Sequence, residues 1–223
     1  FANSDVAVVG GTLSAVQPNA SNRVYRGTFT PSTDSLTAAG TSVASGTYSD
    51  AAGNQGAAAP TPSIAIDTVA PTLVVATSKT ALTSGDTATI TFTFSEPVAD
   101  FTSGDIVLTG GTLGTLSAAA DQQVYTTTFT PTDKSNTPPS IEVPAASYHD
   151  AFGNDGVAAA SPPMSADTAM PSVSITADIA VIKAGATATI SFTFSESVVG
   201  FSAADIAVTG GTLGTLSGNA DDS

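Results

Sequence analysis

Asp67, Glu96, Asp150 and Asn154 carry the side-chain chemistry of this chain. Three are anionic and the fourth is an amide, while the sequence holds no cysteine and a single histidine. Oxygen donors without nitrogen or sulfur partners suit a hard cation, Ca²⁺ above all, rather than zinc. Partial copies of the set occur as Asp167 with Glu196, and as Asp50 with Asn54. Asp105, in frame with Asp5 and Asp205, fits either a second cation site or a cap on the turn after Phe101. A plainer reading also accounts for the loop residues. Asp150 and Asn154 are what an Asx-type turn around a left-handed Gly153 requires, and Glu96 is then a solvated loop side chain.

Other chemistry is poorly supplied. His149 stands beside Asp150, but the matching position of the first copy is Ser49, so a solvated loop side chain is expected rather than a general base. Without a second histidine or a cysteine, neither a catalytic triad nor a zinc centre can be assembled. Gly110-Gly111 has no following helix or lysine to cradle phosphate and reads as a turn between strands. Asn19-Ala20-Ser21 matches a glycosylation sequon, a pattern too short to carry weight. Asp221-Asp222 reads as part of a turn. No enzyme is expected.

Acidic residues outnumber basic ones 19 to 5, giving a net charge of −14. A polyanion lacks the basic footprint that nucleic acid or an anionic membrane surface needs. No apolar run approaches the roughly 20 residues of a membrane helix. Only 11% of residues are charged, with Thr, Ser, Ala and Gly filling the surface. That palette suits a secreted β-protein whose carboxylates hold cations. Absence of cysteine rules out a disulfide framework.

The elements that must position these residues repeat every 100 residues without a gap. Phe1, Phe101 and Phe201 coincide; Gly10-Gly11-Thr12-Leu13 returns at Gly110 and again at Gly210. Asp67-Thr68-Val69-Ala70-Pro71 returns as Asp167-Thr168-Ala169-Met170-Pro171, each copy a short tether closed by proline. Residues 1–67 read as the last two-thirds of a module, 68–167 as a whole one, and 168–223 as the first half of the next. Such phasing fits a section of a longer array. Alternatively, the partial modules are completed by a neighbouring molecule, since 168–200 is the segment that 1–67 has no copy of.

Within the middle module the period is two. Residues 87–94 alternate, placing Ala88, Ile90, Phe92 and Phe94 inward and the threonines outward. Residues 124–130 alternate again, with Tyr125, Thr127 and Phe129 on one side. Shorter strands are expected at 72–77, 98–101, 105–109, 112–117, 141–148 and 157–166, punctuated by Gly, Pro, Asn and Asp. About seven strands in about 100 residues predict an all-β, antiparallel Greek-key sandwich of immunoglobulin type. Strands that alternate in direction bring the 95–97 turn, the 150–154 turn and the tether to one end. There Asp67, Glu96, Asp150 and Asn154 would meet.

The order Ala70-Pro71, the Thr/Ile/Phe strand, Phe94-Ser95-Glu96-Pro97-Val98, Gly110-Gly111-Thr112-Leu113, Phe129-Thr130-Pro131 and Asp150-Ala151-Phe152-Gly153-Asn154 resembles the bacterial immunoglobulin-like tandem repeats of giant secreted adhesins of the RTX or biofilm type. Ser197 departs from the pattern where the middle module has Pro97, and Phe152 stands where the first copy has Ala52. The resemblance implies structural extender repeats at a bacterial cell surface, stiffened by Ca²⁺ at their junctions and supporting adhesion or biofilm formation. Their partners would be the neighbouring repeats, with any host or surface ligand held elsewhere in the protein. Two alternatives to the extender stay open: a module that binds a glycan, ice or a host protein, and a subunit of a self-assembling filament.

Overall fold

In the computed structural model, described for residues 1–61 and 63–218, the chain forms two compact units, Phe1–Asp167 and one starting at Thr168. Among the described residues, every regular element is a strand or a single 3-10 turn.

The first copy opens with a 3-10 turn at Asn3–Asp5, then β1 (Val6–Val9), β2 (Gly11–Leu13), β3 (Gln17–Pro18), β4 (Tyr25–Arg26), β5 (Phe29–Pro31), β6 (Gly40–Val43) and β7 (Ala59–Pro60). They pair as β1-β6-β7, β2-β5 and β3-β4. The middle module then runs β8 (Leu73–Thr77), β9 (Ala81–Thr83), β10 (Ala88–Phe94), β11 (Val107–Thr109), β12 (Gly111–Leu113), β13 (Ser117–Ala118), β14 (Val124–Pro131), β15 (Ser140–Val143), β16 (Ala159–Ala160) and β17 (Ser165–Asp167). One sheet has the order β12-β14-β10-β8, with β13 also on β14; the other has the order β11-β15-β16. In the second unit, β18 (Val173–Ala177) pairs antiparallel with β19 (Ile190–Phe194).

The expected alternation is what closes the middle module. Ala88, Ile90, Phe92 and Phe94 are buried, as are Tyr125, Thr127 and Phe129 on the neighbouring strand. Ile141 and Val143 of the opposite sheet are buried in the same cluster, so the module is a β-sandwich with its core between the two sheets. Thr89, Thr91 and Thr93 lie opposite Thr128, Thr126 and Val124 on the outer face. Their β-branched side chains favour the pleated surface without needing burial.

Several strand boundaries differ from the expectation. Residues 98–101 form a loop, in which Val98 and Phe101 are both buried; three-residue spacing wraps the end of the sandwich, which a strand of period two could not do. The span 141–148 ends as a strand at Val143, because Pro144 has no N–H to extend the ladder. The span 157–166 divides around Pro162-Pro163 into β16 and β17, and 112–117 breaks into β12 and β13. β9 was not anticipated; it is parallel to β17, with Ala81, Leu82 and Thr83 opposite Ser165, Ala166 and Asp167. Asp221-Asp222 lies outside the described residues.

Two local contacts yield tests. Lys79 Nζ donates to Asp86 Oδ1 at 2.6 Å across the turn between β9 and β10, while Asp86 Oδ2 accepts from the Thr83 N–H and hydroxyl. The lysine first, then the Thr83 donors, hold the Asp86 carboxyl down to about 2. A carboxyl depressed on folding adds stability above its unfolded value, and that stability is lost as pH falls through about 2. NMR titration of Lys79→Met should place the Asp86 midpoint nearer the ordinary carboxylate range; an unmoved midpoint would dismiss the lysine as its cause. Near the 150–154 turn, Gly156 is buried against the Tyr148 ring, where an added Cβ would sit 2.2 Å from ring carbon. Gly156→Ala should therefore cost about 1–3 kcal/mol in urea denaturation, an overpacking penalty.

Candidate metal centre

Three segments meet at one end of the middle module. The first is the tether. Asp67 Oδ1 accepts from the Val69 N–H at 3.0 Å, which folds the carboxylate back over its own chain. Thr68 turns the other way: its N–H donates to Ser35 O, its hydroxyl donates to Ser32 O at 2.8 Å, and that hydroxyl accepts from Ser35 N–H at 2.9 Å. The tether is thus pegged to the first copy by Thr68 and offers a carboxylate to the second with the residue before it, Asp67.

The second segment carries Glu96 on the turn after β10. Ser95 N–H donates to Thr72 O, and Thr72 N–H to the Ser95 hydroxyl, so the turn is tied to the start of β8. The buried Tyr125 hydroxyl donates to Val98 O and fixes the far side of the same turn. The third segment is the 150–154 turn. Asp150 Oδ1 accepts from the Phe152 and Asn154 N–H groups at 2.8 and 2.9 Å, and Gly153 takes φ +85°. This is the Asx-type turn the sequence suggests. Tyr148, wholly buried, donates its hydroxyl to Val157 O at 2.7 Å and reaches Pro71 O at 3.2 Å, joining this turn to the tether.

These constraints bring Asp67, Glu96 and Asp150 together, with one carboxylate oxygen of each lying within 4.8 Å of the others. Asn154 completes the group as a brace: its amide nitrogen donates to Asp150 Oδ2 at 2.6 Å and to the Asp67 carbonyl at 3.1 Å. Asp150 is buried, and Asp67 and Glu96 are half-buried. Each like-charged pair at such a separation repels by between about 1 kcal/mol in water and about 4 kcal/mol near a protein surface. The Glu96 carboxyl is pushed up by its burial and then by the charges of Asp67 and Asp150. Its penalty is absent below the ordinary glutamate range and sets in as pH rises through the raised value. Asp150 behaves oppositely. Burial alone would raise it, but hydrogen bonds from Asn154, Phe152 and Gly153 outweigh that and hold it low. Among the described residues, the ion pairs are those of Lys79 with Asp86 and of His149 with Asp100 and Asp155, and they do not include Asp67, Glu96 or Asp150. Three anionic oxygens at these separations offer what a divalent cation takes from oxygen ligands.

Other expected donors have other surroundings. Asp50 and Asn54 repeat the turn, with Asn54 Nδ2 on Asp50 Oδ2 at 2.8 Å, but no tether or glutamate joins them. Asp105 Oδ2 accepts from the Thr102 N–H and hydroxyl at 2.7 and 2.8 Å, which makes it a cap on the 3-10 turn Ser103–Asp105. Asp205 does the same for Ser202, while Asp5 accepts from the Ala2 N–H alone. Asp167 ends β17 in the first unit, and Glu196 follows β19 in the second as Glu96 follows β10. His149 is less idle than expected. Its Nδ1 lies 2.9 Å from Asp100 Oδ2 and its Nε2 3.1 Å from Asp155 Oδ1, and the Asp100 hydrogen bond leads the causes that raise its pKa. That pairing fastens the 150–154 turn to the 98–101 loop.

Thr68, Tyr125 and Tyr148 are the functional residues the sequence reading misses. Each acts through a hydroxyl on a carbonyl far away in the chain, a relation without local spacing. Only the placing of Tyr125 on an inward face could have hinted at one of them.

No curated protein matches the chain in sequence. The model of the bacterial Ig-like domain matches three times, over residues 1–66, 67–165 and 167–223. With the family model matched over nearly every position, the chain belongs to the bacterial Ig-like domain family.

Proposed function

We propose that this chain is a run of structural extender modules in a secreted bacterial surface adhesin, and that Ca²⁺ held by Asp67, Glu96 and Asp150 stiffens the joint between successive modules. Bacterial Ig-like domains are non-catalytic modules of surface proteins, which supports the coarser half of this reading. The observation that carries the finer half is the convergence of three carboxylates within 4.8 Å at the tether. A cation there would join Asp67, on the linking segment, to two loops of the following module. It would also cancel the repulsion that otherwise pushes the linker away. Stiffness then depends on conditions: loose where calcium is scarce, rod-like outside the cell, where modules of this kind bind at millimolar strength. Adhesion and biofilm formation would follow from reach, which repetition multiplies while each module touches only its neighbours.

Small-angle scattering with calcium and with chelator tests the joint. Calcium should lengthen and narrow the particle, and superimposable profiles would remove the ion from the account. Thermal unfolding provides a second measure. At a hundred times Kd, calcium should raise stability by about 2.7 kcal/mol. Glu96→Gln in chelator should be at least as stable as the unsubstituted chain, since a repelled charge is gone, yet lose most of the calcium response.

A further inference from the structure

We propose that Thr68 is the positioning residue of the tether: its hydroxyl fastens the chain to the preceding copy whether or not a cation is bound, and confines bending of the joint to Val69 and Ala70. Neither the three carboxylates nor an ion takes part in that fastening, because the hydroxyl's partners are backbone groups of Ser32 and Ser35.

The seat for Thr68 is the loop after β5, and that loop is held by its own module. Ser32 N–H donates to Gly10 O at 3.0 Å, Asp34 takes φ +50°, and Thr37 N–H donates to the Ser35 hydroxyl at 3.2 Å. The same loop returns in the middle module. There Thr132 N–H donates to Gly110 O at 3.0 Å, Lys134 takes φ +54°, and Thr137 N–H donates to the Ser135 hydroxyl at 3.1 Å. A left-handed residue other than glycine persists only where its surroundings over-determine it, and here it does so at the same position twice. Into this seat Thr68 places three bonds. Its N–H donates to Ser35 O at 3.1 Å, its hydroxyl donates to Ser32 O at 2.8 Å, and the hydroxyl accepts from Ser35 N–H at 2.9 Å. One short side chain thus satisfies a carbonyl and an N–H of the loop together. Its β-branch restricts χ1, so the hydroxyl arrives already aimed. The position recurs as Thr168, which is 2% exposed, and Ser35 recurs as Ser135.

The far end of the tether is fixed as well. Pro71 is buried, and its carbonyl accepts from the Tyr148 hydroxyl at 3.2 Å and from Val157 N–H at 3.1 Å. Between Thr68 and Pro71 only Val69 and Ala70 remain. Ala70 precedes a proline, which disfavours the helical range and holds it extended. Most of the freedom to bend therefore falls to Val69. One bond spans the bend, from Asn154 Nδ2 to the Asp67 carbonyl at 3.1 Å, and it lies beside carboxylates that repel one another. That bond is the fastening most exposed to loss when no cation is present. The joint thus has one fastening that answers to charge and one that does not.

Spin labels test the fastening directly, since the chain has no cysteine of its own. Labels on Ser42→Cys in β6 and Thr89→Cys in β10, both exposed strand positions, report the distance between the first copy and the middle module. In chelator the labelled chain should give a single distance peak. Thr68→Val keeps the shape but removes both side-chain bonds to the loop, and should roughly double the width of that distribution. Thr68→Ser returns the hydroxyl and should restore most of the original width. Amide signals of β10 and β14 should be the same in all three chains, which separates loss of the fastening from loss of the module. A Thr68→Val chain as narrow as the original would overturn the proposal, as would a serine chain as broad as the valine one. Shifted β10 and β14 signals in Thr68→Val would make Thr68 a folding residue and overturn it too. With no calcium present, these outcomes are independent of whether the carboxylates bind the ion.

Discussion

The middle module depends on a cluster of four aromatic rings under one end of the sandwich. Phe94 touches Phe101, Tyr125 and Tyr148 at centroid separations of 5.0, 5.7 and 5.0 Å, mostly edge to face. Such pairs each contribute about 0.5–1.5 kcal/mol beyond simple burial. More important is where the two tyrosines end. Their hydroxyls sit on Val98 O, Val157 O and Pro71 O, so the apolar core reaches into the loops and holds their backbones. A buried hydroxyl left without a partner would be costly, and this drives the loops to stay where the rings put them. The acidic group above is positioned from below.

That arrangement explains how three carboxylates can be held together against their charges. The repulsion is a few kcal/mol at most, while the core and its tyrosine anchors resist any loop movement that would relieve it. Asn154 adds a second restraint by clasping Asp150 and the backbone of Asp67 at once. The folded chain therefore keeps concentrated negative charge ready in space. A cation held there, as proposed, would need little rearrangement of these side chains.

Sequence made much of this legible, for definite reasons. The repeat needed only comparison of residue n with residue n+100, and the inward set of β10 needed only period two. Convergence of Asp67, Glu96 and Asp150 followed from strand direction alone, because antiparallel strands return their turns to the same end. What stayed hidden was non-local or too short. β9 is three residues long and owes its existence to β17, more than 80 residues onward. The loop at 98–101 is apolar like a strand, and only its packing against Phe92 and Phe94 reveals the difference. His149 looked dispensable because Ser49 replaces it, yet its partners Asp100 and Asp155 are also particular to this copy: Gln55 stands at the second position in the first module and Gly200 at the first in the third.

The parallel pairing of β9 with β17 has a consequence for how the module would answer mechanical load. β9 lies near the module's entry and β17 at its exit, and they run in the same direction. Tension applied through the chain would draw the two strands apart lengthwise, so that their hydrogen bonds would be loaded in shear rather than opened one by one. If the proposed extender role holds, this three-residue clasp would act as a tensile link, loaded in shear between a strand one element in from the module's entry and the strand at its exit.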